Sequence, residues 1–133
     1  MKIILVFIWG LFIINNVKAQ ENFLGYSRDQ VIKAINTIPL QIEKEDKTND
    51  GKYNFIATKL NDWHRLVFYI TDKNECEMCI EIFTRQEMLI EIIKDLNNRF
   101  QYVSTDIWIS KDDRTEIWLK KGSDGISIRY KKL

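Results

Sequence analysis

Apolar and polar positions along the chain follow two periods. Val31, Ile32, Ile35 and Ile38 recur at helical spacing, as do Met88, Leu89, Ile92, Ile93 and Leu96. Each stripe follows a capping-box sequence. Ser27-Arg28-Asp29-Gln30 has Tyr26 and Val31 placed as a hydrophobic staple, and Thr84-Arg85-Gln86-Glu87 has Phe83 and Met88. Pro39 ends the first helix, because it disfavours helical geometry at Ile38, and Asn97-Asn98 closes the second.

Alternation with period two marks the rest. Residues 52–60, 65–71, 75–83, 101–109, 114–120 and 125–131 read as strands, with 40–46 as a further edge strand. Turn chemistry falls between them at Asn49-Asp50-Gly51, Asp72-Lys73-Asn74, Lys111-Asp112-Asp113 and Gly122-Ser123-Asp124. These elements predict an α+β fold: an antiparallel sheet of about six strands with two helices packed on one face, in the order α-βββ-α-βββ. Pairing 109 with 117 and 120 with 125 sets Ile107 and Ile109 beside Leu119 and Ile117, and Trp108 beside Trp118 on the opposite face. The two helix starts lie 57 residues apart. They read either as an internal duplication or as the shared look of well-capped helices.

The N-terminus changes what the totals mean. Met1-Lys2 precedes an apolar run from Ile3 to Ile14, and Val17 and Ala19 are small residues placed for cleavage before Gln20. This predicts a secretory signal over residues 1–19 and a single α+β domain over 20–133. The run is too short to span a bilayer, which takes roughly 20 apolar residues, so no stable membrane anchor is expected after cleavage. The chain of 133 residues carries a formal charge of +1, and removing Lys2 and Lys18 leaves 114 residues at −1. A near-neutral exported domain is a poor partner for nucleic acid. The expected address is secreted or periplasmic.

Candidate chemistry is sparse. Cys76 and Cys79 form a C-x-x-C spacing that has three readings: a local disulfide, two thiols, or a redox pair. In a regular strand Cys76 joins Met78, Ile80 and Ile82 on one face, while Cys79 joins Glu75, Glu77 and Glu81 on the other. There the carboxylates would raise its pKa, against a nucleophilic role. Two thiols and one histidine do not make a closed zinc site, and nothing points to a cofactor. His64, beside Asp62, reads as a surface or capping residue, with a hydrolytic pair as the remote alternative. No nucleophile-elbow, zincin or phosphate-loop motif occurs. Tyr102, Trp108, Trp118 and Arg129 form the candidate binding surface: aromatics ringed by charge on the polar side of the last three strands, either open or covered by another element.

The stretch Leu24-Gly25-Tyr26-Ser27-Arg28-Asp29-Gln30-Val31, running to Ile38-Pro39, resembles the first helix of SmpA/OmlA-like outer-membrane assembly proteins and of β-lactamase-inhibitor-like modules. It covers about 16 residues. The chain departs from those families in lacking a lipid-attachment cysteine and in placing Ile38 where Gly is usual before the Pro. The resemblance implies helices on one face of an antiparallel sheet and action by protein binding without catalysis. The expectation is a small exported binding protein (an inhibitor, an immunity-type protein or an envelope-assembly accessory) whose partner is another protein. A thiol–disulfide protein using Cys76 and Cys79 is the alternative.

Overall fold

The computed structural model describes residues 23–133; the signal expected at 1–19 lies outside the described residues. The elements are α1 (Arg28–Ile35), β1 (Gln41–Lys47), β2 (Asn54–Asn61), β3 (His64–Ile70), β4 (Cys76–Phe83), a 3-10 turn (Gln86–Met88), α2 (Leu89–Arg99), β5 (Gln101–Ser104), β6 (Ile107–Ile109), β7 (Thr115–Gly122) and β8 (Gly125–Lys132). The fold is α+β, with two helices and one eight-stranded antiparallel sheet in the order α-ββββ-α-ββββ. The extra strands have two sources. The 40–46 segment is the full edge strand β1, and residues 101–109 split into the β5–β6 hairpin at Thr105-Asp106, where Asp106 takes φ 62°.

The helix starts differ in how they are capped. Ser27 Oγ accepts from the Gln30 amide at 3.2 Å and Gln30 Oε1 accepts from the Ser27 amide at 2.8 Å, so the first capping box forms as its sequence implies. At Thr84 no box forms. Gln86 instead donates its amide to the Gly122 carbonyl at 2.6 Å, and a 3-10 turn leads into α2. Helix α1 stops at Ile35, four residues before Pro39, and the chain turns through 36–39.

In the sheet the strands run β1-β2-β3-β4-β8-β7-β6-β5. Each half is one helix followed by four strands. The last strands of the two halves, β4 and β8, pair antiparallel at the centre, so the strand order of the second half mirrors that of the first. One face takes both helices: Val31 and Ile35 of α1, and Ile92 and Leu96 of α2, join a single cluster with Ile56, Phe68, Phe83, Ile117, Ile128 and Tyr130. Strand β3 alternates strictly between buried and half-buried positions.

Register corrects two expectations. Strand β6 pairs with β7 as Ile107 to Trp118, Trp108 to Ile117 and Ile109 to Glu116, one residue away from the pairing inferred above. The cause is a four-residue turn in place of three. Ser110 and Thr115 close it, Ser110 Oγ accepts from the Arg114 and Thr115 amides, and Asp113 sits at φ 61°. A one-residue slip moves every side chain to the other face, so Trp108 enters the core and Ile107 and Ile109 leave it. Strand β7 pairs with β8 two residues away from the expected 120–125 pairing, with Lys120 opposite Ser127, Trp118 opposite Arg129 and Leu119 opposite Ile128, because a two-residue Ser123-Asp124 turn closes between Gly122 and Gly125.

Candidate functional site

Strand β4 inverts the usual rule for a half-buried strand. Ile70 pairs with Cys76 and Tyr69 with Met78, so Glu77 is an extra residue and the alternation restarts beyond this bulge. Cys79, Glu81 and Phe83 therefore point to the helix side, where each is at most 2% exposed. The more apolar row, Met78, Ile80 and Ile82, stands on the open face. The bulge also turns Cys76 inward, so both cysteines face the core rather than opposite sides. Each carries a thiol and no disulfide joins them. Burial pushes the Cys76 thiol up to about 12 and holds the Cys79 thiol well above its ordinary value. Redox chemistry needs the opposite shift.

The buried side of the same strand carries a chain of polar contacts. His64 Nε2 shares a hydrogen bond of 2.6 Å with Glu81 Oε2, and Tyr130 donates its hydroxyl to Glu81 Oε1 at 3.3 Å. His64 stacks on Phe83 with ring centroids 4.2 Å apart. His64 Nδ1 is buried without a hydrogen-bond partner. Burial and the Glu81 carboxyl hold the Tyr130 hydroxyl well above its ordinary pKa, with Arg99 opposing them. Helix α2 supplies that guanidinium, fixed by Asp95, which accepts from Arg99 Nε at 2.8 Å. His64 is thus a core residue and not a surface one. Asp62 does not orient it: Asp62 is exposed and pairs with Lys59 at 2.8 Å. With His64, Glu81 and Tyr130 at most 1% exposed, the chain holds the core together and presents no group to a substrate.

The four residues of the expected binding surface divide between the two faces. Trp118 and Arg129 come together on the open face, with the guanidinium 5.1 Å from the indole centroid and the Trp118 Nε1–H donating to Glu116. Trp108 lies on the helix side, 2% exposed, and donates its Nε1–H to Asn97 of α2 at 2.9 Å. Tyr102 meets Trp108 edge-on at 6.0 Å from the outermost strand and remains exposed.

What surrounds Trp118 and Arg129 follows from the ladders. Val67 faces Ile80, Ile80 faces Arg129, Arg129 faces Trp118 and Trp118 faces Ile107. The rows on either side run Tyr69, Met78, Lys131, Glu116, Ile109 and Arg65, Ile82, Ser127, Lys120. A regular strand would set Met78, Ile80 and Ile82 on the same face as Cys76; the Glu77 bulge, which no Gly or Pro marks, sets them opposite it. Both helices pack on the opposite face, and on this one Val67, Met78, Ile80 and Ile82 are half-buried. A second concavity, about 410 Å³ between α1 and the β1–β2 edge, is lined by Arg28, Glu45, Lys47 and Phe55. Two of its charged groups already satisfy each other: Arg28 makes a two-pronged pair with Glu45.

No group of three or more metal-ligating side chains exists among the described residues, and no helix among them is long and apolar enough to cross a membrane. Comparisons with protein families, with curated proteins and with solved structures find no match to this chain.

Proposed function

We propose that this is a small exported protein that acts by binding another protein through the open face of its sheet. One observation carries the reading: β4 buries Glu81 and turns Met78, Ile80 and Ile82 outward. A buried carboxylate and an outward apolar row are the informative exceptions to ordinary partitioning. With Val67 that row makes a contiguous apolar patch on the sheet, and Arg129 stands between it and the second apolar pair, Trp118 and Ile107. Contiguous apolar surface of this kind marks interaction sites. Aromatic and arginine anchors such as Trp118 and Arg129 dominate the energy of such interfaces.

The resemblance of residues 24–39 to assembly and inhibitor modules supports the same class of function, and the expected signal supports export. The thiol–disulfide alternative loses support from the burial of both cysteines and the upward shift of their pKa values.

A photo-crosslinking amino acid at position 80, in the full chain expressed in its own host, tests the reading. Discrete protein adducts at position 80 that are absent at position 91, on the exposed side of α2, are the expected outcome. An Ile80 probe that captures nothing beyond what the position 91 probe captures would overturn it.

A further inference from the structure

Resting on the reading that this face binds a protein, we propose that the partner offers an acidic strip: an apolar ridge flanked by carboxylates, seated along β4, β7 and β8. Most charges on the face are already matched within the protein. Glu43 accepts from Arg65 at 3.2 Å, Asp46 lies 3.9 Å from Lys44, Glu77 accepts from the Tyr53 hydroxyl at 3.4 Å, and Glu116 accepts from the Trp118 indole. Lys59 pairs with Asp62. Each carboxylate on the face is therefore engaged within the protein.

Three cations are not. Among the described residues Lys120, Arg129 and Lys131 make no ion pair, although Lys131 stands across the ladder from Glu116. They occupy one position in each of three successive rows: Lys120 beside Ser127, which separates it from Ile82, Arg129 between Trp118 and Ile80, and Lys131 between Glu116 and Met78. The result is a cationic diagonal, Lys131 and Arg129 on β8 and Lys120 on β7 beside Trp118, with Met78, Ile80 and Ile82 of β4 along its β8 side. Arg129 is the pivot. Its Nε is buried without a hydrogen-bond partner and its plane rests on Trp118, so the guanidinium is held in place before any ligand arrives. A preorganised guanidinium suits a carboxylate, which it meets through paired N–H donors. An apolar column alongside demands an apolar counterpart, so a purely anionic ligand uses only half of the surface.

The test uses the full chain after signal removal, labelled with nitrogen-15, and a defined probe, the random copolymer poly(Glu,Tyr). Its controls are poly(Glu), poly(Lys,Tyr) and phosphatidylglycerol vesicles. The expected result is amide shift changes confined to β4, β7 and β8, with poly(Glu) at least tenfold weaker and poly(Lys,Tyr) inactive. Lys120→Glu with Lys131→Glu should weaken poly(Glu,Tyr) at least tenfold while the remaining spectrum stays that of the folded protein. Arg129→Lys, which keeps the charge and loses the planar fork, should weaken it severalfold. Shift changes elsewhere, equal response to poly(Lys,Tyr), or binding to the vesicles without binding to the copolymer would overturn the proposal, the last in favour of a lipid surface. Crosslinks at position 80 that survive the double charge reversal would overturn the acidic partner while leaving the protein-binding reading intact; crosslinks absent even from the native face would remove both.

Discussion

Replacing Glu81 by leucine tests the buried polar chain directly. Leucine is close to Glu in volume, so the substitution removes hydrogen-bonding capacity and charge with little cavity. It leaves His64 with both ring nitrogens unpartnered, since Nδ1 already has none, and it takes from the Tyr130 hydroxyl the acceptor for its proton, with only Arg99, itself a donor, left beside it. Each newly unsatisfied buried group costs about 1–3 kcal/mol, so the single variant should lose about 4 kcal/mol. Adding His64→Phe restores much of this. Phenylalanine keeps the stack on Phe83 at 4.2 Å and removes the orphaned nitrogens, so the double variant should be about 2 kcal/mol more stable than Glu81→Leu alone. Urea unfolding of the four proteins of this cycle gives the coupling term. A Glu81→Leu loss below about 1 kcal/mol, or strict additivity in the double variant, would refute the pairing argument.

Three further outcomes follow from the same geometry. Trp108→Ala should cost about 3–5 kcal/mol, as expected for a core aromatic, whereas Trp118→Ala should change stability by less than about 1 kcal/mol and remove most of the iodide-quenchable fluorescence. Gly125→Ala should destabilise by more than about 2 kcal/mol in thermal unfolding, because the added Cβ would sit 2.3 Å from the Phe83 carbonyl oxygen at a φ of +148°. Stability should also fall as pH rises from about 9 towards 12: folding raises the Cys76 pKa from 9.0 to about 12, so the native state keeps a proton that the unfolded chain has lost. The term reaches about 4 kcal/mol; it is fully present below the unfolded value, and Cys76→Ala should flatten this part of the pH profile.

Local chemistry was legible wherever it was self-contained. The Ser27 cap needs only Gln30, three residues away, and it forms. Strand β3 reads correctly because its alternation is unbroken. Thr84 has the same local sequence features but competes with a distant partner: the Gly122 carbonyl takes Gln86. The β6–β7 register turned on how Ser110 folds back on Arg114 and Thr115, a set of contacts that exists only once the turn is built. Glu81 was the hardest residue to place. Three glutamates at positions 75, 77 and 81 look like one solvated row until a single bulge changes the parity between Glu77 and Glu81. Of the four candidate surface residues, Trp118 and Arg129 share the open face, and the aliphatic row beside them was not legible because an unbroken alternation groups it with Cys76.

The position of β8 has a consequence for how the molecule is made. This strand lies between β4 and β7, so the two halves of the sheet join only through the last strand in chain order. Until it arrives, β4 keeps a bare ladder edge beside the outward Met78, Ile80 and Ile82, an invitation to pair with another chain. Closure of the sheet is thus a late, long-range event of the slow kind.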